Sequence, residues 1–191
     1  MENLETRVRQ RLSAGDPDTA ATLAIREMGP EVLGYLRAVL RDETDASDAF
    51  SLFAESTWRG LPGFRSEASL RTWLYRVAWS AALRLVRDPY RARRELLPTS
   101  AASRLAASVF ASTAQRAEEE RTAVQELRAR LTPEEQSLLV LRLDRELSWR
   151  EVAEVLAEED APKLDEAALR KRFERVKEKL GRLAREAGLL S

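Results

Sequence analysis

A chain of 191 residues, 44% hydrophobic and 34% charged, with 32 basic against 32 acidic side chains, is long enough for one large or two small domains with cores of their own. It contains neither cysteine nor histidine, which excludes disulfides, thiolate nucleophiles, imidazole bases and the usual zinc sites. Ala, Leu, Glu and Arg dominate and strand formers are scattered, so the chain is expected to be all-α. With no nucleophile–base pair, metal cluster or phosphate-cradling glycine loop, neither an enzyme nor a cofactor is expected. Residues 1–11 are charged, and no apolar run approaches the roughly 18–20 residues that span a bilayer, so the expectation is a cytoplasmic protein without a membrane segment.

In chain order, Thr6 to Leu12 reads as a short leading helix, and Asp16-Pro17-Asp18 as a turn and helix start. The next helical pattern begins near Thr19 and meets Gly29-Pro30. Proline is tolerated in a first helical turn, so this stretch reads either as one kinked helix or as two. Asp45 to Trp58 is amphipathic, with Ala49, Phe50, Phe53 and Ala54 on one side, and Leu61-Pro62-Gly63 turns the chain.

The segment from Phe64 to Arg87 carries the most information. Ser69 is placed to cap a helix whose Leu70, Leu74, Val77, Ala81 and Leu85 fall on one side. Trp73, Arg76, Ser80, Arg84 and Arg87 form a second stripe at steps of three and four. Guanidinium groups hold phosphates, a hydroxyl can bond a base or sugar, and an indole offers a stacking surface, which is the chemistry of a strand-holding face. The alternative is a solvated basic edge with Trp73 tucked sideways into the core.

Residues 15–95 are therefore expected to form the first helical domain. Residues 96–114, rich in Ala, Ser and Thr, suit a flexible linker better than a core element, although Leu105, Val109 and Phe110 could dock. The second domain is expected over 115–191. A helix spans about 115–130, and Thr132-Pro133-Glu134-Glu135 and Ser148-Trp149-Arg150-Glu151 are two further helix starts with capping boxes. From Asp165 a last helix buries Leu169, Phe173, Val176, Leu180 and Leu183, and turns Ala167, Arg170, Lys171, Glu174 and Arg175 outward. A short helix followed by a longer one with basic outward residues at its start fits a helix-turn-helix; a small bundle with a salt-bridged surface helix is the alternative. Charge is uneven: residues 71–94 hold seven Arg against Asp88, and residues 165–185 hold eight basic groups against four acids.

Asp45-Ala-Ser-Asp48, Trp58, Phe64-Arg65 and the run from Glu67 to Ala78 resemble region 2 of bacterial sigma factors of the extracytoplasmic-function group. Leu131 to Gln136 and Leu147 to Ala153 resemble region 4 of the same group, without a region 3 between. The resemblance implies that region 2 grips core RNA polymerase and melts the minus-ten element, and that region 4 binds polymerase and reads the minus-thirty-five element. It places Asp45, Asp48, Phe50, Phe53 and Glu55 on or beside the polymerase-docking helix. Trp73, Arg76, Ser80, Arg84 and Arg87 fall on the minus-ten side, and Ala167, Arg170, Lys171, Glu174 and Arg175 fall in or over the major groove at minus-thirty-five. Promoter DNA and core polymerase are the implied partners, with an anti-sigma factor as a further one.

Three positions depart from the group's pattern: Ser51-Leu52 stands for a usual Gln-Glu, Trp79-Ser80 for a usual Arg-Asn, and the turn over 157–164 is long and acidic. Zero net charge, Ser51-Leu52 and the acidic turn keep open a second reading, a diverged sigma-like adaptor or competitor for polymerase, and a stand-alone helix-turn-helix regulator is a third.

Overall fold

The computed structural model describes residues 3–65, 67–94, 100–114, 123–158 and 164–189; among these it is helical, without a strand. The chain divides into two compact units, Met1–Glu118 and Glu119–Ser191.

In the first unit, α1 (Leu4–Ser13) packs on α2 (Pro17–Leu40), and α2, α3 (Glu43–Gly60) and α4 (Leu70–Arg87) pack against one another. Of the two readings left open at Pro30, the structure takes the single helix: α2 runs unbroken through it. Pro30 is exposed while the preceding Gly29 is buried, so the missing backbone donor lies on the solvent side. Asp16, Asp42 and Ser69 cap α2, α3 and α4 by accepting backbone N–H groups of Thr19, Asp45 and Thr72. A 3-10 turn, Leu61–Gly63, links α3 to the segment before α4, and a short α5 (Pro89–Arg94) follows α4.

The boundaries expected for the first domain are extended at both ends. α1 belongs to this unit, and so does α6 (Ala101–Ala114), in the stretch expected as a tether. α6 packs on α2 and α3 with Ala102, Leu105, Ala106 and Val109 buried. A run of Ala and Ser reads as a linker because its apolar periodicity is shallow, but alanine is the best helix former, and small side chains allow close approach to a neighbouring helix.

The second unit contains α7 (Ala123–Arg128), α8 (Pro133–Leu139), α9 (Trp149–Leu156) and α10 (Glu166–Glu186). The start of the helix expected from 115, and residues 159–163 of the acidic turn, lie outside the described residues. Both predicted capping boxes are present, Thr132 with Glu135 and Ser148 with Glu151. A one-turn π segment, Val140–Asp144, continues α8, and the Arg142 guanidinium donates to the Leu147 carbonyl at 2.8 Å, tying this turn to the start of α9. Leu131, Leu139 and Val176 form the core, with Leu180 packed against it.

Candidate nucleic-acid interface

Three contacts tie α4 to α2. Tyr75 lies edge-on to Tyr35 of α2, with ring centroids 5.3 Å apart, and its hydroxyl donates to Glu31 at 2.7 Å. Arg71 also donates to Glu31 at 2.7 Å and lies over the Tyr75 ring. Burial opposes the Arg71 charge, but the bond to Glu31 and its negative charge outweigh burial and raise the Arg71 pKa. The buried arc is wider than the predicted apolar line: Tyr75, Ala78, Trp79 and Ala82 join Leu70, Leu74, Ala81 and Leu85, while Val77 is only half-buried. Trp79, one of the departures from the sigma pattern, is a core residue at 4% exposure.

The remaining edge carries the predicted stripe. Arg76, Ser80, Arg84 and Arg87 are all exposed. Trp73 is half-buried, and its ring lies 5.6 Å from that of Phe64 at an angle of 54°. A Cβ on Gly60 would stand 3.3 Å from Trp73 Cζ2, so glycine at the end of α3 makes room for the indole. Trp73 therefore leans toward the core at one margin of an open basic edge. Two large hydrophobic side chains beyond the predicted stripe, Val86 near the end of α4 and Tyr90 in α5, are 45% and 74% exposed. Asp88, in a non-helical conformation, separates α4 from α5, so the period of α4 does not extend to Tyr90.

The residues expected at the polymerase contact are not brought together on one open surface. Asp45 and Asp48 are half-buried near the start of α3, whereas Phe50, Phe53 and Glu55 are buried. Phe50 and Phe53 stack at 5.5 Å on the core side. Glu55 accepts hydrogen bonds from the Ser100 and Ser103 hydroxyls and lies 3.5 Å from Arg59. The sequence shows a helix face at these positions but not that α6 packs over part of it.

In the second unit, Asp165 caps α10 by accepting the N–H groups of Ala167 and Ala168. Ala167, Arg170, Lys171, Glu174 and Arg175 are all exposed. Arg170 pairs with Glu166 at 2.9 Å and lies over Trp149, 5.7 Å from its ring centre, and Arg142 lies 5.1 Å from the same ring centre. Trp149 meets Phe173 edge-on at 5.4 Å. This aromatic and guanidinium cluster fixes α9 against the N-terminal half of α10.

No group of three or more metal-ligating side chains occurs among the described residues, and no described helix is long and apolar enough to cross a membrane. Residues 24–93 match the Sigma-70 region 2 family model. This match supports a sigma-70 family factor. It runs from within α2 to α5, so the arginine edge of α4 lies inside the matched segment and α6 lies C-terminal to it. Sigma region 2 binds core RNA polymerase and minus-ten promoter DNA. No curated protein matches the chain.

Proposed function

We propose that this chain is a cytoplasmic sigma factor of the extracytoplasmic-function group, which binds core RNA polymerase and directs initiation at a restricted set of promoters. The observation that carries the reading is the exposed edge of Arg76, Ser80, Arg84 and Arg87 on a helix within the region 2 match. In this reading the guanidinium groups hold the backbone of the opened minus-ten strand, and Trp73 supplies an apolar wall at one end. The second unit acts as region 4: α9 supports α10, and Ala167, Arg170, Lys171, Glu174 and Arg175 face the minus-thirty-five groove. An anti-sigma factor is a further partner in this reading.

The test is transcription from fragmented genomic DNA of the host by purified core RNA polymerase, with and without the chain, followed by sequencing of transcript starts. New starts that share two upstream motifs are the expected result. The adaptor or competitor reading is favoured by the burial of Glu55 and by Leu52 in place of a polar residue; it predicts binding to core with no new starts.

A further inference from the structure

On α3, Asp48, Leu52 and Glu55 succeed one another at steps of four and three and so share one helix face. Glu55 locates α6 on this face, because its carboxylate accepts from Ser100 and Ser103, the latter at 3.3 Å. Leu52 is 2% and Glu55 7% exposed. Toward α2, Val109 approaches Gly29 so closely that a Cβ there would stand 3.0 Å from Val109 Cγ1. Arg37 of α2 lies over the Phe110 ring, 5.1 Å from its centre.

The attachment of α6 is lighter than that of the other long helices of its unit. Its buried side chains are two alanines, one leucine and one valine, with no aromatic among them. By contrast α2, α3 and α4 bury Tyr35, Phe50, Phe53, Tyr75 and Trp79. Apolar stabilisation scales with the area removed from water, so α6 can leave at a small fraction of the free energy that holds the other helices. The polar contacts to Glu55 are also replaceable, since neutral hydroxyls from α6 satisfy a carboxylate that a cationic side chain would satisfy more strongly.

We infer that α6 is an intramolecular cover over the α3 face through which the chain docks on core RNA polymerase, and that docking requires α6 to leave. The inference rests on the function proposed above. With α6 displaced, Leu52 stands between the carboxylates of Asp48 and Glu55, a surface suited to a polymerase helix with an apolar residue flanked by basic ones. The departure at Ser51-Leu52 then has a physical reason, because leucine at 52 makes the face apolar enough to hold the cover. The apparent affinity for polymerase is the intrinsic affinity scaled by the fraction of chains with α6 displaced.

The chain has no cysteine, so Gly29→Cys with Val109→Cys supplies one defined disulfide. A Cβ at 29 lies 3.0 and 3.3 Å from the two Val109 Cγ atoms, close enough for the Cβ separation of about 3.5–4.5 Å that a disulfide adopts. Binding to purified core RNA polymerase is measured for the oxidised protein, the same protein reduced, and the unmodified chain. The oxidised form is expected to bind at least about tenfold more weakly than the reduced form. Leu105→Ala loosens the cover without touching α3 and is expected to bind several-fold more tightly than the unmodified chain, with its cooperative thermal unfolding retained; it decides the matter if the disulfide does not form. Equal binding by oxidised and reduced protein, or no gain from Leu105→Ala, overturns the inference while leaving the function intact, provided the unmodified chain binds core. No binding by the unmodified chain overturns the polymerase reading and the inference with it.

Discussion

The carboxylate of Glu5 accepts the backbone N–H of Leu70 at 3.0 Å, across 65 positions of sequence. Leu70 is the first residue of α4, and Ser69 satisfies a different N–H in the same turn, that of Thr72. α1 therefore supplies half of the side-chain cap on the helix that carries the arginine edge. Replacing Glu5 by Gln weakens this bond and breaks the pair with Arg9. The expected loss of stability is about 1 kcal/mol, nearly all from the cap, because the pair with Arg9 is largely exposed. Urea unfolding checks this, and a midpoint equal to that of the unmodified chain would show that the cap contributes nothing.

Glu31 joins α2 to α4 by accepting from both Tyr75 and Arg71. Tyr75→Phe keeps the ring against Tyr35 but removes the hydroxyl, and is expected to lower stability by about 1.5–3 kcal/mol, the range for a bond to a charged group. Glu31→Gln is expected to remove much of the same contribution, so the double variant should fall short of the sum of the singles. Strict additivity would mean that the two groups do not act through their shared bond.

Much of the architecture is legible in local sequence. The caps at Ser69, Thr132 and Ser148 are short-range signals set by residues three apart, and each appears as read. The arginine edge was equally legible, because exposure follows from the same helical period that gives the buried face. Contacts between distant segments left weaker traces. Glu5 gives no sign of its partner at Leu70, and Gly29 matters because Val109 arrives 80 positions later. Glu55 and Phe50 looked available for a partner because a helix pattern states which residues share a face, not which neighbouring helix covers it.

Arg76 and Arg84 are exposed on the same edge, two turns apart and thus separated by roughly 12 Å along the axis. Each is expected to hold a backbone phosphate of the opened strand. Arg76→Ala and Arg84→Ala should therefore weaken binding of the polymerase complex to a pre-opened minus-ten template with little regard to base sequence. Each should also reduce the slope of log affinity against log salt by about 0.7, the value for one single-strand phosphate contact. Ser80→Ala should leave that slope unchanged, since its hydroxyl carries no charge. An unaltered slope in both arginine variants would remove these residues from the strand-holding face.

The last prediction concerns acid stability in the second unit. Glu135 Oε2 accepts the Thr132 N–H at 2.9 Å as part of the capping box and meets Lys179 of α10 at 2.6 Å. Partial burial opposes its charge, but the Lys179 and Thr132 bonds prevail and hold its pKa below the ordinary 4.5. The folded state therefore releases this proton more readily than the unfolded chain. The resulting stability is fully present above pH 4.5 and is lost as pH falls below it through the lowered folded value. Because the pair is only partly buried, the contribution is expected to stay under about 1 kcal/mol. Denaturant unfolding of the full chain at a series of pH values from neutral down to the carboxylate range measures it, with Glu135→Gln as the comparison. The unmodified chain should be the more stable at neutral pH, and the gap should close in acid; a gap that does not change with pH would show that the Glu135 charge plays no part.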